Sequence, residues 1–392
     1  MDTRETGNSM ESIYLTEEHV ALRDQVARFV ANEVEPYGTA WEEQGFVPRD
    51  VLRKMGGLGF FGITYPAEFG GSEADALTSL VFAEALSRST FGGFIVTALV
   101  HSDMASPHLV NAGSRAQIEK YLPSIISGDR ITAVAVTEPD AGSDVAGIRT
   151  RARRDRSDWM LNGAKMFITN GVYADLYFVA ARTDPAAKGS RGISMFIVEK
   201  GTPGFRVGRA LNKTGWLSSD TAELVFEDCR VPAENLLGEE NAGFYAVMKN
   251  FQRERIAAAA MSVGNALTSL RLTIEYVKNR KAFGGVLFDK QVIRQRLAML
   301  DAKTHAARQF LYHCGWLAAQ QRECVREVSM LKALTGELAN EVVYTCQQFH
   351  GGMGYMRESA IERQARDARV LAIGGGATEV MLEEVAKRFA LD

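Results

Sequence analysis

Glu254 falls on an apolar stripe. In the long helical stretch Phe244–Lys281, Val247, Phe251, Glu254, Ala258 and Met261 recur at spacings of four, three, four and three, one face of a helix. A carboxylate on such a stripe is partly desolvated, which raises its pKa toward the range where it can take protons near neutrality. The plain alternative is a surface glutamate paired with Arg253 or Arg255, and the pattern alone leaves both open. A second candidate is Ala135–Gly147, AVTEPDAGSDVAG. It closes a β-branched run, Ile131–Thr137, that reads as a buried strand. The strand breaks into Glu138–Asp144, a turn rich in hydroxyls and acids. Backbone amides, Thr137 and Ser143 at a strand end suit a flat, heteroatom-rich ring with a phosphate tail; an ordinary Asx-rich surface loop fits the composition too.

Other chemistry-bearing patterns carry less. Gly57-x-Gly59-x-x-Gly62 matches a dinucleotide fingerprint, but it follows a helical run and no βαβ pattern surrounds it. His101 and His108 share a helix face without a third ligand, which argues against a metal. Cys229, Cys314, Cys324 and Cys346 show no CxxC spacing and read as reduced thiols in a cytoplasmic setting. Arg149, Arg151, Arg153 and Arg154 alternate with small residues as on a solvated face.

The elements that must position these groups come in three blocks. The chain has 392 residues, 46% of them hydrophobic, enough for two or three cores. A net charge of −3, from 45 basic and 48 acidic residues, gives no electrostatic case for nucleic acid. No apolar run approaches the roughly 18 residues of a membrane span. The start, MDTRETGNSMES, lacks the pattern of a signal or transit peptide. Helical periodicity marks a run from Thr16, then Ala76–Arg88, Phe94–Asn111 and Ala116–Ser127. From Arg130 short β-branched or alternating runs take over, and Asn162-Gly163 signals a hairpin. From Gly238 four long amphipathic stretches follow: Phe244–Lys281, Gln291–Gln320, Arg326–His350 and Ser359–Thr378, with Glu379–Ala390 last. The fold class is α+β, mainly α: an N-terminal helical domain (1–129), a small β-barrel-like domain (130–240) and a C-terminal four-helix bundle (241–392).

Ala135–Gly147 resembles the first signature of acyl-CoA dehydrogenases, flavoenzymes that desaturate acyl thioesters. Gln348–Tyr355 (QFHGGMGY), with Glu358 and Arg363, resembles the second. Lys165–Gly171, Gly215-Trp216, Ser219–Thr221 and Tyr276–Gly284 (YVKNRKAFG) lie between them, and the likeness covers roughly residues 15 to 390. It implies FAD. Val134, Val136, Thr137 and Ser143 would line the flavin's polar edge and phosphates. Phe167, Ile168 and Thr169 would lie on the ring's other side, Phe167 standing where many relatives carry Trp. Arg280, Phe283 and Gln291 resemble residues that reach a neighbouring subunit's FAD, arginine being suited to bidentate phosphate bonds. Gln348, Gly351 and Gly352 would admit FAD close to the backbone. Ala377, Thr378 and Glu379 resemble the last FAD contact, with Ala377 in place of the usual Thr. FAD shared across subunits implies at least a dimer, and the family suggests a homotetramer that passes electrons to an electron-transferring flavoprotein.

Desaturation needs a base for the α-proton, while the flavin accepts the β-hydride. Many members carry the base as a glutamate in a loop where this chain has Gly374-Gly375-Gly376; Gly375 occupies that position. A smaller branch, like long-chain acyl-CoA and isovaleryl-CoA dehydrogenases, carries it on the first bundle helix before an arginine. Here that reads Gln252-Arg253-Glu254-Arg255, so the resemblance makes Glu254 the base. Gly375 would still offer its N–H to the thioester carbonyl. Ser143, Tyr245, Gln252, Arg255 and Gly374 match positions near the acyl-CoA. A carrier-protein-bound acyl substrate, and flavin monooxygenase or oxidase chemistry on the same fold, remain the alternatives.

Overall fold

In the computed structural model, which describes residues 12–187 and 189–389, the chain runs helical, then β, then helical, as its periodicity predicts. The first block holds α1 (Glu17–Phe29), α2 (Gly38–Gln44), α3 (Arg49–Gly57), α4 (Ala76–Leu86), α5 (Gly92–Leu99), α6 (Ser106–Ala112) and α7 (Arg115–Ile126). Thr16 starts α1: its side chain accepts from the His19 N–H, and His19 Nδ1 accepts from the Thr16 N–H. α5 is buried on every side, which is why it reads as apolar all round.

The expected continuous helix Phe94–Asn111 is interrupted. Between α5 and α6 it widens into a π turn, Val100–Ala105. Such a turn shifts the backbone ladder by one residue and leaves carbonyls for side chains. Tyr65 donates to the Ser102 carbonyl (2.6 Å), Thr132 Oγ1 to that of His101 (3.1 Å) and Asn250 to that of Met104 (2.7 Å). Hydrophobic spacing cannot reveal it, because every residue from Val100 to Ala105 except Met104 is buried.

The middle block is an eight-stranded sheet. Its strands are β1 (Thr132–Ala135), β2 (Arg151–Asp155), β3 (Asp158–Thr169), β4 (Leu176–Arg182), β5 (Ile193–Glu199), β6 (Phe205–Ala210), β7 (Thr221–Val231) and β8 (Leu236–Leu237). They pair in the order β6-β7-β3-β2-β4-β5-β8, with β1 parallel to β4, around a core that includes Trp159, Tyr177, Phe196 and Phe226. The hairpin expected at Asn162-Gly163 does not form; the pair is a bulge inside β3. Asn162 bonds Asp228 on β7 through both its amide atoms (3.2 and 2.9 Å), and a Cβ on Gly163 would fall 2.7 Å from the Thr150 Cα. The β2–β3 turn falls instead at Arg156-Ser157, where Arg156 has φ 58°.

The last block contains α8 (Gly243–Asn279), a short hairpin β9 (Lys281–Ala282) and β10 (Gly285–Val286), then α9 (Gln291–Ala319), α10 (Val325–His350), α11 (Ala360–Ala368) and α12 (Thr378–Ala386). Three of these helices are long. The fourth stretch, expected over Ser359–Thr378, ends as α-helix at Ala368 and unwinds through a 3₁₀ turn into a loop, since Gly375 and Gly376 take φ of +64° and +104°. Asp367 on α11 ties the three blocks together. Its carboxylate accepts the N–H of Gly92 at the start of α5 (3.1 Å) and of Trp216 in the β block (2.6 Å).

Candidate active site

α8 carries Glu254 inward, as its stripe predicts. Val247, Ala258 and Met261 are buried, and Glu254 is 12% exposed. The surface pairing with the flanking arginines does not occur. Arg253 turns away to Asp103 (3.0 Å) and Thr64 (2.8 Å), anchoring α8 to the first block. Arg255 is buried beside the Phe251 ring and is attracted by Glu384 on α12 more than by Glu254. Around the Glu254 carboxylate stand Asn250, whose Nδ2 donates to Oε1 at 3.0 Å, and the buried His108, whose Nε2 is 3.9 Å from Oε1. Burial pushes the Glu254 carboxyl up to about 8, against the weaker pulls of Asn250 and Arg255. Burial also pushes His108 down to about 4, so it is neutral near pH 7. The result is a carboxyl that no Lys or Arg pairs among the described residues, able to hold or take a proton near neutrality.

Opposite lies the glycine loop. A Cβ on Gly375 would meet the Ala258 Cβ at 3.8 Å, and Ala258 is one turn beyond Glu254 on the same stripe. The Gly374 N–H is spent on Val370 O (2.8 Å), whereas the exposed Gly375 N–H has no acceptor among the described residues. The buried Lys332 of α10 clamps the loop ends, donating to Leu371 O (2.9 Å) and Gly376 O (2.5 Å). Sequence reasoning missed both Asn250 and Lys332. Asn250 had one available signal, its place four residues before Glu254.

The turn after β1 is built on a buried ion pair that the sequence pattern also hid. Lys165 Nζ is 2.7 Å from Glu138 Oε1 and donates to Val136 O (3.0 Å). Glu138 accepts the backbone N–H groups of Arg149 (2.6 Å) and Thr150 (2.9 Å). Met166 N–H donates to Thr137 O (2.9 Å), joining the turn to β3. Val136 is buried in the cluster that also holds Val247, with Val134 and Phe251 at its margin, so the turn packs against the base's half of α8. Thr137 is half-buried and Ser143 exposed. Phe167 is 66% exposed and held left-handed at φ 62°. The Ile168 side chain is in the β core, where the bulge between Lys165 and Ile168 turns it inward, which leaves its backbone to face outward. Thr169 is half-buried.

A second group lies elsewhere. Arg280 caps α8, exposed and without an ion pair among the described residues. Phe283 in the hairpin is 87% exposed and left-handed at φ 52°. Gln291 begins α9 and is exposed. Gln348, Gly351 and Gly352 adjoin them at the end of α10, where Tyr276 donates to His350 O (3.2 Å). Gly351 takes φ 57°, ψ −137°, which only glycine adopts readily. The 26 residues from Glu254 to Arg280 span ~39 Å of helix. Ala377, Thr378 and Glu379 stand with the first group at the start of α12; Thr378 Oγ1 donates to Glu337 (2.7 Å). Gln252 is half-buried, accepting from Cys324 Sγ at 3.7 Å, and Tyr245 is 63% exposed near the start of α8.

Models of the acyl-CoA dehydrogenase N-terminal, middle and C-terminal domains match residues 16–129, 133–229 and 241–390. This chain belongs to the acyl-CoA dehydrogenase family. It is 43% identical to the mitochondrial long-chain specific acyl-CoA dehydrogenase of Mus musculus over 96% of this chain and 87% of that one. It is 36% identical to the mitochondrial isovaleryl-CoA dehydrogenase of Pongo abelii over 96% and 90%. A probable acyl-CoA dehydrogenase from Mycobacterium abscessus superposes with a TM-score of 0.93 at 41% identity, over 96% of this chain and 100% of that chain. As a family member the chain is an FAD-dependent oxidoreductase acting on a CH–CH bond. No helix among the described residues is long and apolar enough to cross a membrane.

Proposed function

We propose that this acyl-CoA dehydrogenase desaturates an acyl-CoA to its trans-2-enoyl thioester with Glu254 as the base. One observation carries the reading: a largely buried carboxyl that no Lys or Arg pairs among the described residues stands one helical turn from the place where the Gly375 backbone meets α8. Glu254 takes the α-proton. The Gly375 N–H donates to the thioester carbonyl, where negative charge gathers as that proton leaves. FAD, when bound, accepts the β-hydride. Ser143, Tyr245, Gln252, Arg255 and Gly374 are the proposed neighbours of the substrate. Replacing Glu254 by Gln and watching flavin bleach under nitrogen tests the assignment; bleaching at the parent's rate would refute it.

The residues fit FAD. Two exposed phenylalanines, Phe167 and Phe283, are held in a strained left-handed backbone, the kind of outlier that clusters at ligand sites. Val134, Val136, Thr137, Ser143, Phe167, the Ile168 backbone, Thr169, Ala377, Thr378 and Glu379 would hold the flavin half. Arg280, Phe283, Gln291, Gln348, Gly351 and Gly352 would hold the other half of a neighbour's FAD, since ~39 Å of helix separates them from Glu254. That separation supports a dimer at least, and a homotetramer follows the family. Three further readings remain part of the proposal: domain limits at 129/130 and 240/241, an electron-transferring flavoprotein as acceptor, and a cytoplasmic location. The names of the relatives favour long or branched acyl groups, and the side-chain-free Gly374–Gly376 leaves space beside the thioester.

A further inference from the structure

Glu254 has a neighbour whose every donor contact is committed. Asn250 lies four residues earlier on α8, so the two side chains stack on one face. It is 2% exposed. Its Nδ2 is 2.7 Å from Met104 O, 3.0 Å from Glu254 Oε1 and 3.4 Å from His108 Nε2. A carbonyl oxygen only accepts, so the amide must present nitrogen to Met104 O, and Oδ1 is left buried without a partner among the described residues. The Met104 carbonyl belongs to the π turn, which is how a backbone acceptor comes to face α8.

We infer that Asn250 is the positioning residue of the base, holding Oε1 of Glu254 so that Oε2 is the oxygen that meets the α-proton. This rests on reading Glu254 as the base. The other groups around it do not substitute. His108 from α6 is neutral and 3.9 Å away. Arg253 is engaged by Asp103 of the π turn. Arg255, on the same helix, is drawn to Glu384 of α12 ahead of Glu254, makes no hydrogen bond to the Glu254 carboxyl among the described residues, and has Arg388 just past α12 and Lys332 of α10 near it. An N–H donated to a carboxylate favours its ionised form, so Asn250 opposes the burial that keeps Glu254 protonated.

The test uses the full-length FAD-loaded enzyme with Asn250→Leu and Asn250→Asp, and two readouts. The first is the infrared band of the protonated Glu254 carboxyl, identified by its loss in Glu254→Gln and followed against pH. The second is anaerobic flavin bleaching by acyl-CoA across the same pH range. In Asn250→Leu the band should persist to about one pH unit higher, with bleaching at pH 7 slower by roughly tenfold. Affinity for the enoyl-CoA product should change by less than about threefold, because the interaction lost is with the base and not with the ligand. Asn250→Asp keeps the shape and sets a second carboxylate against Oε1, so the midpoint should move up in this variant too. If Asn250→Leu fails to fold, Asn250→Asp decides. A band that titrates as in the parent, or a slower rate with an unmoved pH dependence, overturns the proposal. If Glu254→Gln itself bleaches at the parent's rate, the base assignment falls; if it is inactive while the Asn250 variants titrate normally, the positioning role alone falls.

Discussion

Gly375 faces Ala258 across 3.8 Å, measured from where its Cβ would be, one turn along α8 from Glu254. A carboxylate on either backbone could therefore address the same ground. Glu254→Gln should bind FAD and acyl-CoA yet lose roughly 10²–10⁴-fold or more in flavin reduction, the usual span of a general base. Glu254→Thr with Gly375→Glu should recover part of that loss, with poorer tolerance of branched acyl groups. Its melting temperature should fall, because a side chain at φ +64° costs about 1–2 kcal/mol. Stopped-flow bleaching and calorimetry check both halves.

The rate of flavin reduction should climb with pH through about 8, where Glu254 loses its proton. Stability should move the other way. A carboxyl raised from an ordinary 4.5 binds its proton more tightly when folded, so its contribution is complete below 4.5 and is lost as pH rises through 8. Glu254→Gln cannot ionise. Its melting temperature relative to the parent should thus be higher at pH 9 than at pH 5, and equal differences at both would refute the burial argument.

Arg280→Ala should leave the Glu254 end of the site intact and weaken FAD retention by about 1.5–3 kcal/mol, the worth of a charge-assisted bond. Equilibrium dialysis reads this directly. A monomeric preparation that binds FAD as tightly as the assembled protein would contradict the shared site.

Lys165→Met leaves Glu138 buried without its cation. A loss of about 3–5 kcal/mol is expected, together with weaker FAD binding, because the same pair fixes the Val136–Glu138 turn. Adding Glu138→Gln should return part of the stability, and a chemical-denaturation double-mutant cycle measures the coupling.

How much of this was legible follows from which interactions are periodic. Glu254 shows in the sequence because helix spacing sets it among Val247, Phe251 and Ala258. The glycine triplet shows as a motif departure. β6 is hard to read from the sequence: Phe205, Val207 and Arg209 alternate too weakly with Arg206 and Gly208 on a mostly exposed edge strand. Asn162-Gly163 looked like a turn because the local signal was read without Asp228, a partner 66 residues away. The inward turn of the Ile168 side chain does not show in the sequence either, because it follows from a bulge that depends on pairing with β7. Lys332 is hidden for the same reason, and Asn250 shows only by its place four residues before Glu254, since Met104 O, Leu371 O and Gly376 O are backbone acceptors distant in sequence.

The π turn at Val100–Ala105 makes residue number, rather than residue type, the guarded quantity in this helix. Deleting one residue there would close the turn into even α-helix, with α6 kept near its present face because the turn already absorbs one extra residue. The Met104 carbonyl would return to the ladder and no longer be offered to Asn250. Lineages descending from this sequence can vary the side chains of α5 and α6 more freely than they can shorten the segment by a single position.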